Sequence, residues 1–258
     1  MPIADINGQK INYEVVGEGT PVVLITGFAS DLPFWDALIP FLSSHKVIML
    51  DNRGVGRTRH SGKFTTSDLM DDVLALMDHL SLYRAHIVGW SMGGCIAQEL
   101  SLKYPERVIS LTLISAYMRR PARSSFAMRT AIRAVEEGAS VETVSMMLQV
   151  MCLSESAFIK REEKGVNGNR RPFATTIGGI TDQLDAVDAY DSRGRISGIS
   201  VPTLCIFGLS DIMVPPEVGE EITRLIKGCR PFRVPGAGHI INPSLYQKAM
   251  LEHFKDND

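Results

Sequence analysis

Apolar and polar positions along this chain alternate between two rhythms. Short runs rich in Val, Ile and Leu at 11–15, 21–25, 46–50, 85–90, 108–114, 203–207 and 231–234 have the length and branching of strands. Stretches between them repeat apolar residues every three to four positions, the spacing of a helix with one buried face. The clearest is 66–80, where Leu69, Val73, Leu76 and Leu80 recur behind a Thr/Ser cap. Asp68, Asp71 and Asp72 crowd its start, where the helix dipole favours anions. Residues 92–103 follow directly from the strand ending at Trp90, 216–226 begin with proline and stop before Gly228, and 242–254 close the chain. Strands alternating with helices predict a mostly parallel sheet covered on both faces. The first two strands, separated by Val16-Gly17-Glu18-Gly19, read as an opening hairpin. The third and later ones are too apolar to be solvated on one face and read as central strands.

The rhythm breaks from about Met118 to Arg195. Helical patterns occupy 124–137 and 141–151, a polar Gly/Asn/Arg-rich segment runs on through Pro172, and no strand-like run intervenes. This reads as a helical cap inserted after the strand ending near Ile114, over the carboxyl edge of the sheet. The expected organisation is therefore a core of residues 1–117 and 196–258 with a cap of residues 118–195.

Composition narrows the partners. A chain of 258 residues with 45% apolar and 22% charged residues can form one large α/β domain or two small ones, and nothing in it forces a split. A formal charge of −2 and a pI near 6.3 supply no basic field for nucleic acid or an anionic membrane, and neither partner is expected. The N-terminus lacks a basic region leading into an apolar one, and no apolar run approaches bilayer-spanning length. A cytoplasmic monomer or homodimer is expected. Cys95, Cys152, Cys205 and Cys229 are widely spaced without a C-x-x-C pattern, which suits reduced thiols. No metal and no cofactor is implied. The glycine-rich places at Arg53 to Gly56 and Gly178-Gly179 lack the pattern of a phosphate-binding loop, so no nucleotide is expected.

The candidate chemistry is concentrated in Gly89-Trp90-Ser91-Met92-Gly93-Gly94, a G-x-S-x-G sequence between an apolar strand and an amphipathic helix. A serine at so sharp a strand-to-helix turn needs small neighbours two positions away on either side for strand and helix to pass. The bare pattern is weak; its setting makes it specific. A serine hydroxyl is a poor nucleophile near neutral pH and needs a base in reach and a third group to hold that base. Asp211 follows the strand at 203–207 in Phe207-Gly208-Leu209-Ser210-Asp211, and His239 follows the last strand in Gly236-Ala237-Gly238-His239. Both loops face the sheet edge where ligands approach open α/β sheets. The alternative for Ser91 is a simple helix cap. Among the other histidines, His86 begins a strand and reads as structural, His79 and His253 read as helix-surface residues, and His45 and His60 fall in loops. Asp182, Asp185, Asp188 and Asp191 fall in or beside the cap, which leaves Asp211 the best-placed acid.

These pieces, with Gly27-Phe28 after an early strand and Asp51-Asn52-Arg53-Gly54-Val55-Gly56 after the next, resemble the α/β-hydrolase superfamily over nearly the whole chain. The resemblance implies catalysis by Ser91, His239 and Asp211, with an oxyanion hole made by the backbone N–H groups of Phe28 and Met92. It also implies a structural role for the loop carrying Asp51 and Arg53. One departure is Thr26-Gly27 where the family usually has His-Gly, which leaves the support of the oxyanion loop in question. Met118, Met128, Met146, Met147 and Met151 gather in the cap and suggest an adaptable apolar wall. Trp90, Met118, Met128 and Met147 are the candidate pocket residues. The expected activity is hydrolysis of a small or medium carboxylic ester or lactone through an acyl-enzyme. Enol-lactonase or carbon–carbon bond hydrolase activity is the alternative within enzymes, and a small-molecule receptor on a hydrolase scaffold is the alternative outside them.

Overall fold

The computed structural model describes residues 2–60, 62–163 and 176–258. In chain order the main elements are β1 (Ile3–Ile6), β2 (Gln9–Val16), β3 (Thr20–Ile25), β4 (His45–Leu50), α1 (Thr66–His79), β5 (Ala85–Trp90), α2 (Met92–Lys103) and β6 (Val108–Ile114). There follow α3 (Ala122–Glu136), α4 (Val141–Cys152), α5 (Glu155–Glu163), α6 (Ile177–Asp188), β7 (Thr203–Gly208), α7 (Pro216–Leu225), β8 (Arg230–Val234) and α8 (Gln247–Lys255). Among the described residues the strands form one eight-stranded sheet in the order β1-β2-β4-β3-β5-β6-β7-β8. The β1/β2 and β2/β4 pairs are antiparallel and all later pairs are parallel.

The expected hairpin between the second and third strands does not form, because β4 lies between them and pairs with both. Side chains at Gly17 and Gly19 would run into the carbonyls of His45 and Ser44. The glycines of that connection therefore serve a close backbone approach to the start of β4 rather than a tight turn. The opening hairpin is instead β1–β2, joined through Asn7 (φ 51°) and Gly8 (φ 72°), the left-handed pair that a two-residue hairpin turn requires. The last strand is also not central: β8 pairs on one side only and is largely exposed along its length.

Both faces of the middle strands are buried, which is why they read as continuous apolar runs. Val23, Ile25, Ile48, Leu50 and Ile87 pack on one face with α1 and α2, while Val22, Leu24, Val47, Met49 and Val88 pack on the other with residues 32–42 and α8. Helix α1 begins with a reciprocal cap, in which the Thr65 hydroxyl accepts from the Asp68 amide and the Asp68 carboxylate accepts from the Thr65 amide. His253, expected on the surface, is buried, as is His45 at the start of β4. His86 stacks on Phe254 at 4.3 Å and His45 meets the same ring edge-on at 5.5 Å. The Phe254 ring thus packs against His86 and His45, while His86 Nε2 also lies 3.0 Å from Asp258 Oδ1 and His253 Nε2 lies 3.3 Å from Leu111 O.

Helices α3–α6 all lie between β6 and β7 in sequence. Two of them, α5 and α6, lie beyond the two patterns legible in the sequence. The polar Gly/Asn/Arg-rich tract falls largely outside the described residues.

Candidate active site

Ser91 occupies the turn between β5 and α2 with φ 54° and ψ −115°, a conformation sparsely populated for any residue with a Cβ and destabilising by about 1–3 kcal/mol. The turn is held by Ser91 N donating to Ile114 O at 2.9 Å and Gly94 N donating to Ser91 O at 2.9 Å. The Ser91 hydroxyl makes no helix-capping bond, so the simple cap reading fails. The small neighbours are required by contact. A Cβ on Gly89 would overlap the backbone of Gly93, and one on Gly93 would strike the carbonyls of Ile25 and Thr26.

Asp211 and His239 come to this hydroxyl on the loops that follow β7 and β8. The two loops are tied to each other by Leu209 N donating to Val234 O at 3.0 Å and Ser210 N donating to Ala237 O at 2.8 Å. Asp211 Oδ1 accepts from the amides of Met213 at 2.8 Å and Val214 at 2.9 Å. Its other oxygen, Oδ2, lies 2.8 Å from His239 Nδ1, and His239 Nε2 lies 2.9 Å from Ser91 Oγ. A carboxylate only accepts, so the ring proton sits on Nδ1 and the lone pair of Nε2 receives the serine hydroxyl. All three side chains are buried. The backbone of His239 is fixed as firmly as its ring, because its carbonyl accepts from Trp90 Nε1 at 3.1 Å and Ser115 Oγ at 2.9 Å. Sequence reasoning passed over Ser115, since only the assembled loops bring it to position 239.

Phe28 follows β3 beside this turn: a Cβ on Gly27 would lie 3.2 Å from that of Ser91 and against the Trp90 ring. Among the described residues neither the Phe28 nor the Met92 amide donates to another protein group. The loop's support, put in question by Thr26, is supplied in another way. The Thr26 hydroxyl donates to Ser30 O at 3.0 Å, while Asn52 Nδ2 donates to Thr26 O at 3.1 Å. Gln183, fully buried on α6, adds a brace: it accepts from Ala29 N at 3.0 Å and donates to Arg53 O at 2.7 Å. Asp51 accepts from the amides of Leu32 and Arg57 and from Asn12, and Arg53 forks onto Asp72 at 2.6 and 2.8 Å. That loop is consumed by internal bonding, as the resemblance implied.

The candidate pocket residues separate. Trp90 stacks on Phe34 at 4.0 Å below the loops, and Met118 and Met128 are buried in the core. Met147 is 65% exposed and stands in solvent apart from the others. The end of α4 abuts the His239 loop, where Ile240 N donates to Cys152 O at 3.0 Å. A Cβ on Gly238 would press on Cys152 O and Ser154 N. Burial, with the nearby Asp211 charge, pushes the Cys152 thiol up to about 12. Burial raises that of Cys95 further, so neither thiol supplies thiolate near neutral pH. Among the described residues no group of three His, Cys, Asp or Glu could hold a metal ion, and no helix is long and apolar enough to cross a membrane.

A nucleophile elbow between a parallel strand and a helix, with an acid and a histidine on the loops after later strands, is the arrangement of one fold family, and residues 20–244 match the family model described as alpha/beta hydrolase fold. The chain belongs to the α/β-hydrolase fold family. Several of its relatives carry hydrolase or esterase names. It is 28% identical over 260 residues to RutD of Azorhizobium caulinodans, a protein assigned by name to carbamate hydrolysis, with 97% of each chain covered. It is 29% identical over 232 residues to a pimeloyl-acyl-carrier-protein methyl ester esterase of Neisseria meningitidis, covering 84% of this chain and 86% of the relative. The structure of the enol-lactonase from Burkholderia xenovorans LB400 superimposes with a TM-score of 0.87 at 26% identity, over 98% of this chain and 100% of that one.

Proposed function

We propose that this protein is a serine hydrolase that cleaves a small or medium carboxylic ester or lactone through an acyl-enzyme on Ser91. The observation that carries the reading is the continuous chain from Asp211 Oδ2 to His239 Nδ1 at 2.8 Å and from His239 Nε2 to Ser91 Oγ at 2.9 Å. In this reading Ser91 Oγ attacks the carbonyl carbon while Nε2 takes its proton. The amides of Phe28 and Met92 receive the oxyanion, aimed at the place where charge develops. The ester C–O bond then breaks, and the leaving alcohol takes the proton from Nε2. A water repeats the sequence with His239 as base, releasing the acid and restoring Ser91. In a lactone the leaving alcohol stays attached to the acid. Asp211 holds the ring in the productive tautomer and stabilises the imidazolium.

The names of the relatives support an acyl-bond hydrolase without choosing its substrate. We assign residues 118–195 as a cap over the site, and we place the protein in the cytoplasm as a monomer or homodimer. A fluorophosphonate probe should label Ser91 stoichiometrically, read by mass spectrometry of the modified peptide. p-Nitrophenyl esters should give an acylation burst followed by sustained release. Undiminished labelling of Ser91→Ala would remove the nucleophile assignment, and a single turnover without release would favour a receptor.

A further inference from the structure

Outside the Ser91–His239–Asp211 chain, one buried cation lacks an adequate partner. Arg120 lies between β6 and α3 with its side chain only 5% exposed. Its Nε donates to Ser124 Oγ at 3.3 Å and lies 3.8 Å from Asp188 Oδ1, too far for a hydrogen bond. Asp188 Oδ2 accepts from Ser125 Oγ at 2.7 Å and meets Arg129 Nη2 at 2.6 Å, while its buried Oδ1, which faces Arg120, has no hydrogen-bond partner among the described residues. Among the described residues, the buried Nη1 of Arg120 has no acceptor. Closing the gap to Asp188 would engage Nε and leave Nη1 as it is. Two guanidiniums thus share one carboxylate, and the more buried of them is the one poorly paired. Burying a charge in this way is unfavourable unless an anion completes it.

The place of this cation is informative. Its Cζ lies 5.0 Å from the ring centroid of Phe28, the residue whose free amide adjoins Ser91. A groove of about 600 Å³ reaches Arg120 from outside, and its walls carry Arg119, Arg129 and Arg193 against two acids, Asp188 and Glu221. Arg129 and Arg193 are themselves paired with Asp185, Asp188 and Asp191 at its rim.

We propose that Arg120 seats a carboxylate on the acyl portion of the substrate, so that the ester or lactone taken by this protein carries a free carboxylate. This rests on the hydrolase reading above. The planar guanidinium is always charged and matches a carboxylate in shape, and its unpaired Nη1 offers the donor. The Phe28 ring that it meets places this seat beside the loop that follows β3. The sequence reading, which expected an apolar wall of methionines, missed this arginine because nothing in Arg119-Arg120-Pro121 marks one arginine as buried.

The test compares the p-nitrophenyl half-ester of glutarate with its methyl-capped diester, which has the same length and no charge. Wild-type kcat/KM should favour the half-ester at least tenfold. Arg120→Met should bring that ratio to one or below, while Arg120→Lys, which keeps the charge and loses the fork, should retain part of it. Melting of each variant reports whether it folds. Independently of turnover, free glutarate at millimolar concentration should raise the melting temperature of Ser91→Ala, and the Arg120→Met change should abolish that shift. If the wild type cleaves the diester as well as the half-ester, Arg120 is only a strut to α6 and the proposal is overturned while the hydrolase reading survives. If glutarate shifts the melt but neither ester is cleaved, the seat is supported and the hydrolase reading fails.

Discussion

Replacing Asp211 by asparagine tests the hydrogen-bonded chain at the member farthest from the substrate. Oδ1 of Asp211 accepts from two backbone amides at 2.8 and 2.9 Å. The asparagine oxygen must take that position, because turning the amide over would set its NH2 against two N–H donors. The flipped orientation forfeits two buried hydrogen bonds, at about 1 kcal/mol each before any penalty for unsatisfied groups. The NH2 therefore faces His239 Nδ1, which must then offer a lone pair, and the ring proton moves to Nε2. That nitrogen lies 2.9 Å from Ser91 Oγ and becomes a donor, unable to accept the serine proton. A misplaced tautomer of this kind lowers kcat by roughly 10⁴-fold, or about 5 kcal/mol of transition-state stabilisation. The assay is kcat on a p-nitrophenyl ester beside the rate of fluorophosphonate labelling, which should fall in parallel, with a thermal melt to show a folded protein. A folded Asp211→Asn variant within about tenfold of wild type would refute the tautomer argument and move the orienting role to another acid.

Two further outcomes follow from other parts of the molecule. Thr26→Val keeps the shape of the side chain but removes its donation to Ser30 O, so stability should fall by roughly 1–2 kcal/mol in chemical denaturation. The kcat should fall more than KM rises as the oxyanion loop loosens; an unchanged kcat would mean that Asn52 and Gln183 hold the loop unaided. Burial lowers the pKa values of His45, His86 and His253, the last to about 4. Below about pH 6.5 the unfolded chain binds protons that the folded one excludes. The stability from these histidines is thus complete above that pH and lost as pH falls toward the folded values. For His253 the loss is at most about 3.5 kcal/mol at roughly 1.4 kcal/mol per unit, and less to the extent that water reaches the ring. The melting temperature should drop between about pH 6.5 and 4.5, with a shallower slope in His253→Phe; a flat profile would contradict the burial argument.

Much of this was legible because the requirements were local. A serine between glycines at 89 and 93 announces a turn whose crowding excludes side chains, and the elements at 85–90, 92–103 and 108–114 end where the sequence pattern ends. Strand pairing was less legible. The residues that make Gly17-Glu18-Gly19 resemble a hairpin turn are there because Ser44 and His45 press on them from β4, a partner remote in sequence. β1 escaped because it is only four residues long and alternates exposed and buried positions, leaving too few apolar positions to register. His253 was misjudged for a related reason: helical position suggested exposure, and only the packed fold brings its ring to the Leu111 carbonyl of β6. Ser115, Gln183 and Arg120 meet the site from separate segments, and no spacing in the chain encodes their convergence.

The bond from Ile240 N to Cys152 O bears on how this scaffold can be re-engineered. The inserted helices look exchangeable, since they enter after β6 and leave before β7, and swapping them is the obvious way to change specificity. Yet the last turn of α4 supplies a carbonyl to the residue immediately after His239, the proposed base, while Gly238 has room only for a hydrogen beneath it. A graft that shifted this helix end by an ångström would move the imidazole with it, and misplacement on that scale suffices to cost a hundredfold in rate. Directed evolution should therefore vary the faces of α3 and α4 and leave 152–154 and 236–240 as a fixed joint.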